Sequence, residues 1–399
     1  MTKQLSQYFL FTLLLLIVNI YIQKLLLTVF DEQEFGKYRL LISIFTVIGV
    51  ISLKGTDWSI MRYTIDKNKS GIRGELLKSI KFNSAALCML LLITSLLFDS
   101  AFTLIGRNEI LLCLCIAFFN PLEFVFGALK GLEKTHVIKI STFVARLIFL
   151  TGLYLSSLIS GLSIIYTFAA ELIILYIVYI LAFRVSVLPE IQTFNNQKEY
   201  TIYNQTSSKF SLQSAISLIC SHTDKILLGA FSTSDLGLLY LTTFLTDNIK
   251  SQLKPVFLMF SIRNRKKQKE KSYTIKIVLI LMGFAISIAV SLFAVYPFIL
   301  SFISSKVISN HLIPSALILS CLSLIPYSMS SYLASLDLIK NGAASANIMI
   351  FQSVLSVLVP LYFYNELSLV IVLSNRIFID IVVCVYYLYY LLKSTQAEI

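Results

Sequence analysis

Apolar residues run almost unbroken through twelve stretches of the chain, at about 8–30, 40–53, 82–98, 110–129, 140–158, 163–183, 209–230, 236–260, 277–300, 312–336, 343–364 and 369–392. An α-helix needs roughly 20 apolar residues to cross a hydrocarbon core about 30 Å thick, so the pattern predicts an all-α polytopic membrane protein of about 12 transmembrane helices. The second stretch is short and is expected to extend outward through Tyr38 and Arg39. The eighth is the least regular, because Asp247, Lys250 and Lys254 interrupt it. Pro121, Pro297, Pro314, Pro326 and Pro360 fall within spans 4, 9, 10 and 11 and are expected to kink or break them.

Polar positions between the runs set the orientation. With the N-terminus in the cytoplasm, the cytoplasmic connections carry 23 Lys and Arg and the opposite ones 4. A missed or invented span would swap the sides of every later loop, so this asymmetry supports both the count and an orientation with both termini cytoplasmic. The run from Tyr8 to Phe30 is too long for a signal-peptide core and is followed by Asp31 and Glu32, so it is expected to remain as the first anchor.

Composition agrees. Of 399 residues, 57% are hydrophobic and only 14% charged, which excludes an ordinary soluble domain. The net charge of +12 sits largely in the cytoplasmic loops, where it reads as topology and contact with anionic lipid, not as a nucleic-acid surface. Cys88, Cys113, Cys115, Cys220, Cys321 and Cys384 lie inside apolar runs without a CxxC or Cys/His cluster, so neither disulfides nor a metal is expected. No nucleotide-binding loop, HExxH or GxSxG occurs, and no external connection exceeds about 11 residues. An ATP-driven pump, a hydrolase and a membrane polymerase with a large catalytic external loop are therefore disfavoured, and no cofactor is called for. The chain reads as a transporter rather than an enzyme.

One internal match organises the runs. Lys24-Leu-Leu-Leu-Thr-Val-Phe30 followed by Glu34-Phe35-Gly36 lines up with Lys225-Ile-Leu-Leu-Gly-Ala-Phe231 followed by Asp235-Leu236-Gly237 at a constant offset of 201. The match equates span 1 with span 7. It predicts two six-helix lobes of like topology, residues 1–192 and 193–399, around a central cavity and related by an axis along the membrane normal. The polar stretch from about Phe183 to Ser208 reads as the linker.

Charged groups inside spans are costly and mark cavities or partners. Here they are Lys24, Arg146, Lys225, Lys250, Lys254 and Arg376 against Glu123, Glu171, Asp224, Asp247 and Asp380. Arg376 and Asp380 at i,i+4, and Asp247 and Lys250 at i,i+3, are spaced to neutralise each other on one helix face. Lys254 and Arg146 lie near enough to an interface to snorkel. Lys24 and Lys225 each precede the Phe that closes their span by six residues, about 9 Å at 1.5 Å per residue. Two readings stand for them: snorkelling to the external surface, or convergence on one cleft as a site for a membrane-borne diphosphate. His222, beside Asp224 in the polar part of span 7, either couples transport to protons or is simply hydrogen-bonded.

Two stretches carry a family resemblance. Glu34-Phe35-Gly36-Lys37-Tyr38, a short span, then Lys54-Gly55-Thr56-Asp57-Trp58 and Met61-Arg62-Tyr63, resembles the opening of bacterial polysaccharide-biosynthesis membrane proteins of the Wzx O-antigen flippase type. His222-Thr223-Asp224-Lys225-Ile226-Leu227-Leu228-Gly229, with Leu236-Gly237 and Tyr240, is similar to that family's second half. The resemblance implies the fold of the multidrug and oligosaccharidyl-lipid exporters. It implies translocation of an undecaprenyl-diphosphate-linked repeat unit to the outer leaflet of the bacterial inner membrane, for O-antigen and lipopolysaccharide biosynthesis. A cationic cavity would take the diphosphate, with Lys24, Lys225, Arg146, Arg376 and Lys250 as substrate-binding candidates and Asp224, His222, Glu171 and Asp380 as candidates for proton or ion coupling. Partners so implied are the lipid-linked oligosaccharide, membrane lipids and other polysaccharide-assembly membrane proteins. The rival reading is a cation-coupled drug exporter of the same fold, whose cavity would be dominated by acids.

The orientation is checked by cysteine accessibility. Ser305→Cys should react with a membrane-impermeant maleimide in intact cells and Gly71→Cys only after permeabilisation; the reverse pattern would invert the topology.

Overall fold

The computed structural model describes residues 2–53, 125–126, 128–129, 132, 134–158, 163–187, 222–263, 271–304, 310–340, 343–363 and 366–394. The third span, most of the fourth, Glu123, Pro121 and the linker region from 188 to 208 lie outside them. Among the described residues there is no strand. The helices are α1 (Thr2–Val29), α2 (Glu32–Leu53), α3 (Thr135–Ser157), α4 (Ile164–Ser186), α5 (222–231), α6 (Thr233–Arg263), α7 (Lys271–Ile303), α8 (Ile313–Leu322), α9 (Leu324–Lys340), α10 (Ala343–Tyr362) and α11 (Leu369–Ser394). Each falls on a predicted span; α2 extends beyond the apolar run through Arg39 and Tyr38 to Glu32, and α8 with α9 divides span 10.

Local chemistry explains the breaks. Asp31 starts α2 with a capping box: its carboxylate accepts from the Glu34 N–H at 2.7 Å, and the Glu34 carboxylate accepts from the Asp31 N–H at 3.3 Å. Phe30 and Phe35 flank the box at the positions of a hydrophobic staple and are buried. At the offset of 201, Ser232 starts α6 with its hydroxyl accepting from the Asp235 N–H at 3.2 Å, and Leu236 takes the buried place of Phe35. The match found in sequence is therefore a repeated helix–break–helix. Between α8 and α9, Pro326 has no N–H to offer the Leu322 carbonyl and its ring crowds that group, so the helix stops at Leu322 and restarts after Ser323. Pro297 and Pro360 lie within α7 and α10, and Pro314 begins α8.

Two compact units result, Met1–His222 and Thr223–Ile399. In the first, α1 lies along α3, α3 packs on α4, and α4 packs on α2. Edge-to-face ring pairs mark these seams: Phe11 with Phe143 at 5.5 Å, and Tyr38 with Phe168 at 6.4 Å. The Tyr179 hydroxyl on α4 meets Thr142 of α3 and donates to the Ile138 carbonyl at 3.2 Å. Lys134 donates to the Ser186 carbonyl at 2.8 Å, satisfying the C-terminal end of α4.

In the second unit α9 is packed by α6, α7, α10 and α11. Phe257, Val278, Tyr332, Leu333, Ile348 and Val383, drawn from all five helices, form its core.

The surface is inverted relative to a soluble protein. Val185, Val290, Phe298 and Leu279 are 75%, 65%, 74% and 63% exposed, while Ser43, Thr242 and Ser320 are fully buried. Six of the described helical stretches are long and apolar enough to span a membrane. An apolar exterior of this extent is stable only against lipid tails, so the chain is a multi-pass membrane protein.

Tyr179→Phe should lower stability in mixed-micelle unfolding by about 1 kcal/mol for the lost hydrogen bonds. Phe35→Ala, which empties a fully buried site, should cost about 3–5 kcal/mol in the same titration.

Candidate functional site

The second unit holds a buried polar network spread over α5, α6, α9 and α11. Asp224 on α5 is 5% exposed. One of its oxygens accepts from the Arg376 Nε of α11 at 2.7 Å, and the other accepts from the Lys225 backbone N–H at 2.7 Å. Arg376 thus pairs across helices with Asp224, not along its own helix with Asp380. Its Nη2 is buried without a hydrogen-bond partner among the described residues, as is the neighbouring Asn375 Oδ1.

The two lysines are held differently. Lys225 places its ammonium over the Tyr240 ring, 5.3 Å from the centroid. Lys250 places its own over the Tyr327 ring at 5.1 Å, and the Tyr327 hydroxyl donates to the Lys250 carbonyl at 3.3 Å. Neither ammonium touches a carboxylate among the described residues. Lys250 interacts electrostatically with Asp380, Asp247, Arg376 and Lys225, so the group behaves as one network of three acids and three bases. A cation on a tyrosine face is worth about 0.5–2 kcal/mol, so such a lysine is released far more cheaply than one buried against a carboxylate.

The first unit has its own pair. Arg146 of α3 bonds Glu171 of α4, which is 7% exposed, so Arg146 does not snorkel. The second oxygen of Glu171 is buried without a partner among the described residues. Glu171 is the eighth residue of α4 and Arg376 the eighth of α11, so a charge of opposite sign stands at the same register in the two helices. Lys24 is half-buried on α1. Next to it, Gln23 accepts a hydrogen bond from Arg39, whose guanidinium lies over Phe35 at 5.0 Å and Tyr38 at 5.5 Å. Arg39 also acts electrostatically on Arg146.

Of the candidates read from sequence, Asp224, Lys225, Lys250, Arg376 and Asp380 come together in the second unit, and Arg146 and Glu171 in the first. Lys24 and Lys225 belong to different units, and His222 opens the described part of α5, half-buried. In the sequence Arg39 stands out only as part of span 2 and Tyr240 only within the repeat and the family motif, and neither Gln23 nor Tyr327 stands out. The repeat itself carried a signal for three of them, since Gln23 aligns with Asp224 and Arg39 with Tyr240 at the offset of 201. Tyr327 has no such signal, because only folding brings α9 to Lys250.

By sequence the chain matches no family model and no curated relative. By structure it is similar to the lipid II flippase MurJ in an inward closed conformation, with a TM-score of 0.72 at 16% identity over 98% of this chain and 87% of that one. It is also similar to a transporter of the MOP superfamily from Pyrococcus furiosus, at 0.68 and 14% over 99% and 96%. An outward-facing multidrug resistance MATE transporter of that superfamily superposes at 0.68 and 13% over 99% and 96%. The fold is thus MATE- and MurJ-like, shared with transporters and flippases.

Asp224→Asn and Arg376→Gln should each destabilise the folded protein by about 3–5 kcal/mol, since each leaves a buried charge alone. The double substitution should cost clearly less than the sum; additive losses in a double-mutant cycle would deny the pair.

Proposed function

We propose that the chain is a flippase that moves an undecaprenyl-diphosphate-linked oligosaccharide, an O-antigen or related repeat unit, from the cytoplasmic to the periplasmic leaflet of the bacterial inner membrane. The observation that carries this reading is the placement of Lys225 and Lys250 on tyrosine faces, without a contacting carboxylate among the described residues, in a fold that a lipid II flippase shares. An ammonium so held loses little when it turns to an anion, and a diphosphate offers charge-assisted bonds roughly twice as strong as neutral ones. Lys24 and Lys225 are the first candidates to contact the diphosphate, with Lys250, Arg146 and Arg376 after them. The polyprenyl tail stays in the bilayer, where transfer costs it nothing. Both termini face the cytoplasm, and other polysaccharide-assembly membrane proteins supply and consume the substrate.

Coupling to a proton or sodium gradient falls to Asp224, His222, Glu171 and Asp380. The rival reading, a cation-coupled drug exporter, calls for acids to outnumber bases, whereas in the buried network of the second unit the two are equal in number.

Leaflet-resolved translocation of a polyprenyl-diphosphate oligosaccharide in proteoliposomes separates the two. The parental chain should accelerate movement over protein-free vesicles, and Lys24→Gln and Lys225→Gln should each slow it about tenfold, the equivalent of one lost charge-assisted bond. Pumping of a cationic dye under an ion gradient, with no lipid movement, would establish the exporter instead.

A further inference from the structure

Tyr296 of α7 is fully buried, and its hydroxyl is placed in the backbone ladder of α6. It accepts from the Leu245 N–H at 3.0 Å and donates to the Leu241 carbonyl at 2.8 Å. These are the two groups that an uninterrupted α-helix joins directly. The hydroxyl thus shares the donor and the acceptor of one rung of α6, and a side chain that enters the ladder in this way is one of the few recognised causes of a helix kink.

The surrounding chemistry favours bending at the same level. Thr242 donates to the Leu238 carbonyl at 2.9 Å, Thr243 to Leu239 at 2.8 Å and Thr246 to Thr243 at 2.8 Å. Hydroxyls bonded back onto the preceding turn bend helices. They also give the carbonyls of Leu238, Leu239 and Thr243 partners that persist when the ladder opens, which matters where no bulk water can replace them. Pro297, next to Tyr296, leaves the Phe293 carbonyl without its usual donor, so α7 is weakened beside its own staple. The break at Ser323 between α8 and α9 is tied to the same place, because Thr246 and Ser320 share a hydroxyl bond of 2.7 Å. Three packed helices therefore have interrupted or softened ladders in one contiguous layer.

That layer divides the polar network. Tyr240, which carries Lys225, is the last residue before the Tyr296 staple. Asp247 and Lys250 follow within two turns on the other side. Bending about residues 241–245 changes the spacing between the Lys225–Tyr240 pair and the Lys250–Tyr327 pair.

We infer that Tyr296 is a positioning residue whose hydroxyl staples a hinge in α6, and that bending at this hinge moves the Lys225–Tyr240 pair relative to Asp247 and Lys250 during transport. The inference rests on the chain being a transporter, but not on which cargo it carries.

Tyr296→Phe removes the hydroxyl and keeps the ring. With the protein in lipid nanodiscs, hydrogen exchange of peptides spanning 238–248 should slow, because the Leu245 N–H and the Leu241 carbonyl are then no longer shared with a hydroxyl. In proteoliposomes the rate should fall about tenfold, the upper end of what one hydrogen bond controls, with the melting temperature little changed. The cargo is whichever of the oligosaccharide lipid or the cationic dye the parental chain moves, so loss of the flippase reading leaves this test intact. Should Tyr296→Phe fail to fold, Ser320→Ala severs the tie to Thr246 and is expected to slow transport with parental melting. Exchange over 238–248 equal to the parental chain, or transport by the folded variant within about twofold of parental, a difference too small for a lost hydrogen bond, would overturn the hinge.

Discussion

A charge or backbone group buried in hydrocarbon has no water to turn to, and every described feature of the polar interior follows from that constraint. Arg146 is answered by Glu171 and Arg376 by Asp224, each across a helix seam, so the pairs hold helices together as well as cancelling charge. Lys225 and Lys250 are answered by aromatic faces. A buried ion pair is broken only at a cost of several kcal/mol, whereas a lysine on a tyrosine is free to take an anionic partner at modest cost. The buried bases thus differ in what faces them, a carboxylate for Arg146 and Arg376 and a ring for the two lysines.

The constraint also shapes the backbone. Helix ends at Asp31 and Ser232 are capped by side chains, and in α6 the carbonyls of Leu238, Leu239, Leu241 and Thr243 accept in turn from the hydroxyls of Thr242, Thr243, Tyr296 and Thr246. Satisfaction of this kind keeps irregular helices intact inside a membrane. It also means that a bend in α6 would leave these carbonyls bonded.

The duplicated helix–break–helix shows how one frame acquires two chemistries. Capping at the break and a buried apolar residue four positions later are kept in both copies, since both are needed to turn the chain. At the polar positions the copies part. Gln23 meets Arg39 between α1 and α2, while Asp224 at the matching place reaches out to Arg376 on α11, and Tyr240 replaces the arginine. The repeat therefore preserves geometry and leaves charge to vary.

Helix class, span positions and the repeated break were legible in the chain, because burial in lipid demands long apolar runs, and because proline, glycine and capping residues act on their immediate neighbours. The candidate charges were legible too, since a charge inside an apolar run stands out wherever it folds. Their partners were not. Spacing on a single helix favoured Arg376 with Asp380 and Lys250 with Asp247, yet α5 delivers Asp224 to Arg376 and α9 delivers Tyr327 to Lys250. The Tyr296 hydroxyl likewise reaches α6 from 51 residues away, with nothing local to announce it. Local patterns determined which segments are helices and which groups need a partner. Only the packing of helices distant in sequence decided which partner each group received, because contact across a seam depends on how whole helices are oriented and not on the residues beside it.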